Sequence, residues 1–222
     1  MGALLKLLFA VLLVGLFISG FFYFIASILG SIAFNPDTKA WKELIAKLRA
    51  KVNQRNDQPL MQLDSEHLAL LSLKPMVLKK ASWGEPVFEG TFNTIYKDRV
   101  MVFAGQKSGK TAVFVAKTSD KEFIFRQKAR ETEVWMDGQP FAVFVEGALL
   151  SAGKQPRMLA KLETDGDLRQ WPVLLGQGEA ATITNGERAV SPIPRAVTLL
   201  RNLSPEEEQT LLVLAVMQGL KA

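Results

Sequence analysis

Residues Leu7 to Phe34, LLFAVLLVGLFISGFFYFIASILGSIAF, run for 28 positions without a charged side chain. As a helix rising 1.5 Å per residue such a run reaches about 42 Å, against roughly 30 Å for the hydrocarbon core of a bilayer, so the segment is expected to be a transmembrane anchor. A cleaved secretory signal has an apolar core of about 7 to 15 residues, which favours an anchor that stays on the chain. Ahead of the run the only charged side chain is Lys6, whereas residues 35 to 55 carry Lys39, Lys42, Lys47, Arg49, Lys51 and Arg55 against Asp37 and Glu43. Basic flanks stay on the cytoplasmic side of a membrane, so the expected topology is single-pass, with the N-terminus outside and the C-terminal domain cytoplasmic. Within the run, Gly15, Ser19, Ala26 and Gly30 share a helical stripe and form two small-xxx-small pairs. Such pairs suit close packing against another helix, in a membrane-protein partner or a homo-oligomer.

The formal net charge is +5 over 222 residues. Spread over the whole chain it would suggest a nucleic-acid binder, but residues 35 to 55 and Lys6 account for all of it and the remainder is neutral. Bases in that juxtamembrane position can each gain about 1 kcal/mol beside anionic headgroups. After the start signal Asn35-Pro36-Asp37, apolar residues recur at helical spacing at Trp41, Leu44, Ile45, Leu48 and Val52. Lys39, Trp41, Lys42, Lys47, Arg49 and Lys51 are therefore the candidate membrane-surface contacts of a helix lying at headgroup level; the same stripe equally suits a stalk packed on the globular domain. The polar stretch Asn53 to Pro59 ends this helix, and a second short one is expected from Ser65 to Leu73. The expected organisation is an anchor at 1–34, a basic amphipathic helical stalk at 35–82 and a globular domain at 83–222.

From Val87 the apolar periodicity changes to that of short strands separated by turn signals every 8 to 12 residues. Strands are expected at 87–96, 99–104, 111–116, 122–127, 132–136, 141–145, 158–162, 168–175 and 180–184. The turns between them include Lys97-Asp98, Lys107-Ser108-Gly109, Ser119-Asp120, Asp137-Gly138, Asp165-Gly166 and Asn185-Gly186. Asp-Gly and Asn-Gly supply the left-handed positions of two-residue hairpins, so the economical topology is an antiparallel meander. The chain closes with a sharply marked helix: Ser204 as cap, Pro205 at the first helical position and Glu207 completing a capping box. Its body, LLVLAVM from Leu211 to Met217, is apolar on every side. A helix without a polar face must be buried all round, and this one is too short to span a membrane, so Leu211, Leu212, Leu214, Ala215 and Val216 are expected in the core of a barrel made by the strands.

A mainly β chain in which an antiparallel β barrel closes around a buried apolar C-terminal helix resembles the tubby-like fold of tubby, LURP-one-related and phospholipid-scramblase domains. The resemblance covers about residues 84 to 220, is architectural, and carries over no functional residue. It implies work at a membrane surface rather than catalysis, although a fold alone does not establish function. A pleckstrin-homology-like barrel is the alternative; its terminal helix is normally amphipathic, unlike LLVLAVM.

Ala104-Gly105-Gln106-Lys107-Ser108-Gly109-Lys110-Thr111 satisfies a loose phosphate-binding-loop pattern after a strand. That chemistry needs a helix beginning at Lys110-Thr111 whose amides cradle the phosphates, whereas the following TAVFVA reads as a strand, so a hairpin turn is expected. The chain has no cysteine and a single histidine, His67, which leaves too few nitrogen and sulfur ligands for the usual transition-metal sites. A serine nucleophile would have to recruit that same His67, and Leu149 to Gly153 lacks the first glycine of a nucleophile elbow. Asp165 and Asp167 read as turn residues. Phe123, Phe125, Arg126 and Lys128 have the composition of a nucleic-acid-binding strand, although alternating aromatics more often face a core. The expected protein is thus a membrane-anchored, non-enzymatic binding or scaffold protein without cofactor, metal or nucleic acid, serving as an accessory subunit or interaction module. The alternative is a protein that binds anionic phospholipid or is scramblase-like; a nucleotide-binding protein using Lys110 comes third.

Overall fold

The computed structural model describes residues 34–56, 58–80, 87–164, 168–176 and 178–221. The apolar run, with Gly15, Ser19, Ala26 and Gly30, lies outside the described residues apart from Phe34; among the described residues no helix is long and apolar enough to cross a membrane. The chain divides into two units, Met1–Leu44 and Ile45–Ala222.

Helix α1, Lys39–Arg55, begins one residue after Thr38, whose hydroxyl accepts the Trp41 N–H at 3.1 Å. Thr38 rather than the Asn35-Pro36-Asp37 stretch is therefore the cap; Asn35 forms the turn before it, its carbonyl accepting the Thr38 N–H at 3.1 Å. The expected stripe, Trp41, Leu44, Ile45, Leu48 and Val52, is the buried face of the helix, and Lys42, Lys47 and Arg49 are exposed. Helix α2 spans only Ser65–Ala69, capped by Asp64, because the chain beyond it is taken into the sheet.

Twelve strands follow in one antiparallel sheet whose spatial order is the sequence order. They are β1 Met76–Lys79, β2 Val87–Asn93, β3 Arg99–Ser108, β4 Thr111–Lys117, β5 Glu122–Lys128, β6 Glu131–Met136, β7 Gln139–Val145, β8 Ala148–Ser151, β9 Met158–Leu162, β10 Gln170–Leu175, β11 Gly178–Thr184 and β12 Val197–Leu199. Strands β1, β8 and β12 were not legible from the pattern, being three or four residues long with too few positions to display a period. The β6–β7 connection is the expected Asp137-Gly138 turn, both residues at positive φ (50° and 78°), and Glu146-Gly147 does the same between β7 and β8 (48° and 83°).

Alternation sorts the side chains into two layers. Met101, Phe103, Ala112, Phe114, Ala116, Phe123 and Phe125 face inward, into one core with Leu149, Ala160, Val173 and Ile183 from the later strands. That core surrounds helix α3, Pro205–Lys221, in which Leu211 to Met217 are all buried. Each fully buried Leu, Val or Met of that helix contributes about 1.5–3 kcal/mol, enough to hold the sheet rolled around it. The capping box forms as the sequence predicts: the Glu207 N–H reaches Ser204 Oγ at 3.3 Å and the Ser204 N–H reaches Glu207 Oε2 at 2.9 Å. Val102, Ala104, Val113, Val115 and Ile124 point to the other face of the sheet and are equally buried, on the face where Arg49 and Arg55 of α1 meet Glu122 and Glu89.

The expected barrel is not closed. Among the described residues no ladder joins β12 to β1, and the two ends of the sheet meet through Leu70–Leu73. On one side this segment pairs with the end of β2, through Ser72 N–H to Asn93 O (2.9 Å) and Ile95 N–H to Leu70 O (2.8 Å). On the other it pairs with the approach to β12, through Leu73 N–H to Pro194 O (2.9 Å) and Ala196 N–H to Leu71 O (2.6 Å). The stitch is short because α2 ends just before it and β1 diverges just after. At this seam α3 comes closest: a Cβ on Gly219 would lie 2.6 Å from the Phe92 ring and 2.7 Å from Leu73 O, so only glycine fits.

Candidate functional site

The bases expected at the membrane surface divide into two groups. Lys39 is exposed and makes only a long contact, 3.6 Å, to Glu43, while Lys42 and Lys47 are exposed without an ion pair among the described residues. Arg49 and Lys51 are instead engaged on the sheet. Arg49 grips Glu122 of β5 through Nε (2.9 and 3.1 Å) and Nη2 (2.7 Å). Lys51 Nζ lies 3.9 Å from Glu89 Oε1, and Arg55 Nε donates to Glu89 Oε2 at 2.7 Å. Glu89, on the outward side of β2, is only 4% exposed. Arg99 of β3 adds a 2.6 Å bond from Nη2 to the Arg55 carbonyl. The helix is thus clasped to the sheet at Arg49 and at Arg55, on either side of Val52. Sequence spacing could locate the helix but not this clasp, whose carboxylates lie 73 and 34 residues away.

The phosphate-loop-like run folds as a hairpin. Ser108 pairs with Thr111 across Gly109-Lys110, Gly109 has φ 57°, and Lys110-Thr111 opens strand β4 rather than a helix. Its lysines nevertheless form part of a built feature. In a meander, alternate turns emerge at the same end of the sheet, so the β3–β4 turn stands beside the β5–β6 turn Ala129-Arg130. Between them lies a cleft of about 550 Å³, with Lys107, Lys110 and Arg130 on its rim and Phe88, Phe114 and Leu220 on its floor. None of the three bases carries an ion pair among the described residues, and the Gln127 side-chain nitrogen beside them is buried without a partner. A cationic rim over an apolar floor suits an anion attached to an apolar body. Arg130, Phe88 and Leu220 were not singled out by the sequence; the available signal was the recurrence of bases in alternate turns.

The other candidates have structural partners. Asp64 accepts the His67 backbone N–H at 2.9 Å and faces His67 Nδ1 at 2.7 Å, and that backbone bond holds its carboxyl below the usual carboxylate range. Ser65 is hydrogen-bonded to Glu208 of α3. Ser151 Oγ accepts the Arg157 N–H at 3.0 Å, within the β8–β9 connection. Phe123 and Phe125 stack inside the core, and Arg126 pairs with Glu133 on the outer face. Among the described residues no group of three or more His, Asp or Glu side chains is arranged to hold a metal ion. Asp165 and Asp167 lie outside the described residues.

A second surface lies along the seam. Beyond the Leu70–Leu73 stitch, β1 continues beside β2 with Met76 50%, Val77 47% and Leu78 43% exposed. A groove of about 350 Å³ runs past it, lined by Lys74, Met76, Ile95, Lys97 and Ile193, with no carboxylate in its wall among the described residues. The chain was compared with protein-family models, with curated proteins and with solved structures, and matches none of them.

Proposed function

We propose that this chain is a single-pass, membrane-anchored binding protein, an accessory subunit or scaffold that holds its rolled sheet at the cytoplasmic face to engage a membrane-protein partner. The observation that carries the proposal is the clasp. The helix that follows the apolar run is not a free linker: Arg49–Glu122 and Arg55–Glu89 fasten its C-terminal half to the sheet. Such a fastening leaves fewer free residues between the run and the sheet, which limits the orientations a partner must select from. The basic flank of the run supports a cytoplasmic domain, and Gly15, Ser19, Ala26 and Gly30 are the proposed contact of the anchor with a neighbouring helix. The finer fold assignment, a tubby-like one, is supported by a twelve-strand meander in sequence order wound around an apolar C-terminal helix. The experiment is a gentle-detergent purification of the tagged full-length chain with native mass determination. One membrane-protein partner at fixed stoichiometry supports the proposal; a lone chain, monomeric or self-associated, refutes the accessory role.

One observation favours a second reading, recognition of anionic phospholipid. It is the cleft in which Lys107, Lys110 and Arg130 surround an apolar floor. In the same purification this reading expects co-eluting anionic lipid that is lost from the Lys107→Glu/Lys110→Glu/Arg130→Glu variant, whose substitutions fall on exposed side chains. Retention of that lipid by the variant would exclude the cleft as its site.

A further inference from the structure

The two ends of the sheet are treated differently. The free edge of β12 is covered: α2 lies against it, and Val197 is fully buried. The free edge of β1 is not. Strand β1 pairs with β2 alone, no backbone bond to its other edge is made among the described residues, and three successive apolar side chains, Met76, Val77 and Leu78, stand about half exposed. An open edge with apolar side chains on both of its faces is a template for another strand, and proteins that leave one unused normally blunt it.

Charge selects what can pair there. Lys74 and Lys80 flank the strand, both exposed, and Lys97 lines the adjoining groove, which contains no carboxylate among the described residues. A second copy of this chain fits badly. Two β1 strands laid edge to edge bring the exposed Lys74 and Lys80 of both copies together, with no acidic residue between those positions to offset them, and like charges across a ladder oppose pairing. The complementary occupant is apolar in its middle, to meet Met76, Val77 and Leu78, and acidic at both ends, to meet the lysines.

We propose that the free edge of β1 is a strand-addition site for an extended segment of a protein partner that is apolar in its middle and acidic at both ends. This rests on the binding-protein proposal above and names the chemistry of its partner.

The absence of cysteine from the chain permits a direct test, since one introduced thiol is unique. Full-length protein carrying Met76→Cys is mixed in detergent with a cysteine-bearing peptide that has valines in its middle and glutamates at both ends, under mild oxidant. Met158→Cys, at a similarly exposed position on β9 (54%), is the reference. The adduct is expected to form at position 76 about tenfold faster than at 158, and Lys74→Glu/Lys80→Glu is expected to remove that advantage, as two cross-strand attractions become repulsions. A valine–lysine peptide should show no preference for position 76. Equal rates at the two positions, indifference to the charge reversal, or a Met76→Cys disulfide dimer outrunning the peptide would each overturn the proposal. The purification separates the two levels. A stoichiometric partner that survives Lys74→Glu/Lys80→Glu overturns this site and leaves the binding protein standing; a charge-dependent adduct with no partner in the purification supports the edge and removes the accessory role.

Discussion

Glu89 allows the clasp to be tested quantitatively, because its partners are not buried as it is. The carboxylate is 4% exposed on the outer face of β2, whereas the side chains of Arg55 and Lys51 are 43% and 31% exposed. Removing one member of a fully buried ion pair costs about 3–5 kcal/mol, mainly because the remaining charge stays desolvated. The two directions of removal therefore differ here. Lys51→Ala/Arg55→Ala leaves an uncompensated buried carboxylate and is expected to cost about 3 kcal/mol, the low end of that range since the cations were half hydrated already. Glu89→Gln leaves two cations that recover water, and should cost about 1 kcal/mol, the order of one hydrogen bond. Glu89→Leu added to the double variant removes the stranded charge and fills about the same volume, so stability should return to within about 1 kcal/mol of the parent. In thermal unfolding of a domain this size each kcal/mol moves Tm by about 2–4 °C, giving a loss of about 6–12 °C for the double variant and about 2–4 °C for Glu89→Gln. The assay is a thermal melt of the purified full-length chain followed by near-ultraviolet signals from the sheet. If Glu89→Gln costs as much as the double variant, or if the triple variant is not restored, then the buried carboxylate is not what makes the clasp asymmetric, and the reasoning is refuted.

Two further outcomes are expected. Glu207 accepts from Arg201 at 2.6 and 3.0 Å and from the Ser204 N–H, and these bonds hold its carboxyl at about 2 instead of 4.5; a depressed carboxyl stabilises the fold fully above its unfolded value and loses that contribution as pH falls from about 4.5 to about 2, so Glu207→Gln should flatten this part of the acid limb while the parent keeps its slope. Gly219→Ala should destabilise despite alanine's helix preference of about 1 kcal/mol, since the new methyl meets the Leu73 carbonyl and the Phe92 ring and overpacking costs about 1–3 kcal/mol; a rise in Tm would show that α3 has room at the seam.

How much of the fold was legible depended on the range of the interactions concerned. The C-terminal helix, from its Ser204–Glu207 box to the seven apolar residues that must be buried, is written locally, because capping and all-round burial are properties of neighbours in sequence. The nine strands read from the pattern and the Asp137-Gly138 hairpin are local in the same sense. The candidate cleft was half legible: the run that holds Lys107 and Lys110 reads as a hairpin turn because a strand follows it, and it folds as one, but that this turn stands beside Arg130 is not written locally.

What the sequence by itself determined is therefore the charge-free run and its basic flank, the meander of strands, and the apolar helix that the strands must enclose. Tertiary structure alone decided the rest. Which carboxylates Arg49 and Arg55 find, where the sheet's ends meet, and why β12 is covered while β1 is left open all depend on pairings between residues far apart in the chain. The closing stitch of Leu70–Leu73 illustrates the reason. Four residues of the expected helix leave it to form isolated bridges because Asn93 and Pro194, distant in sequence, offer backbone groups on both sides, and the need to satisfy buried backbone groups outweighs a short helix's local preference.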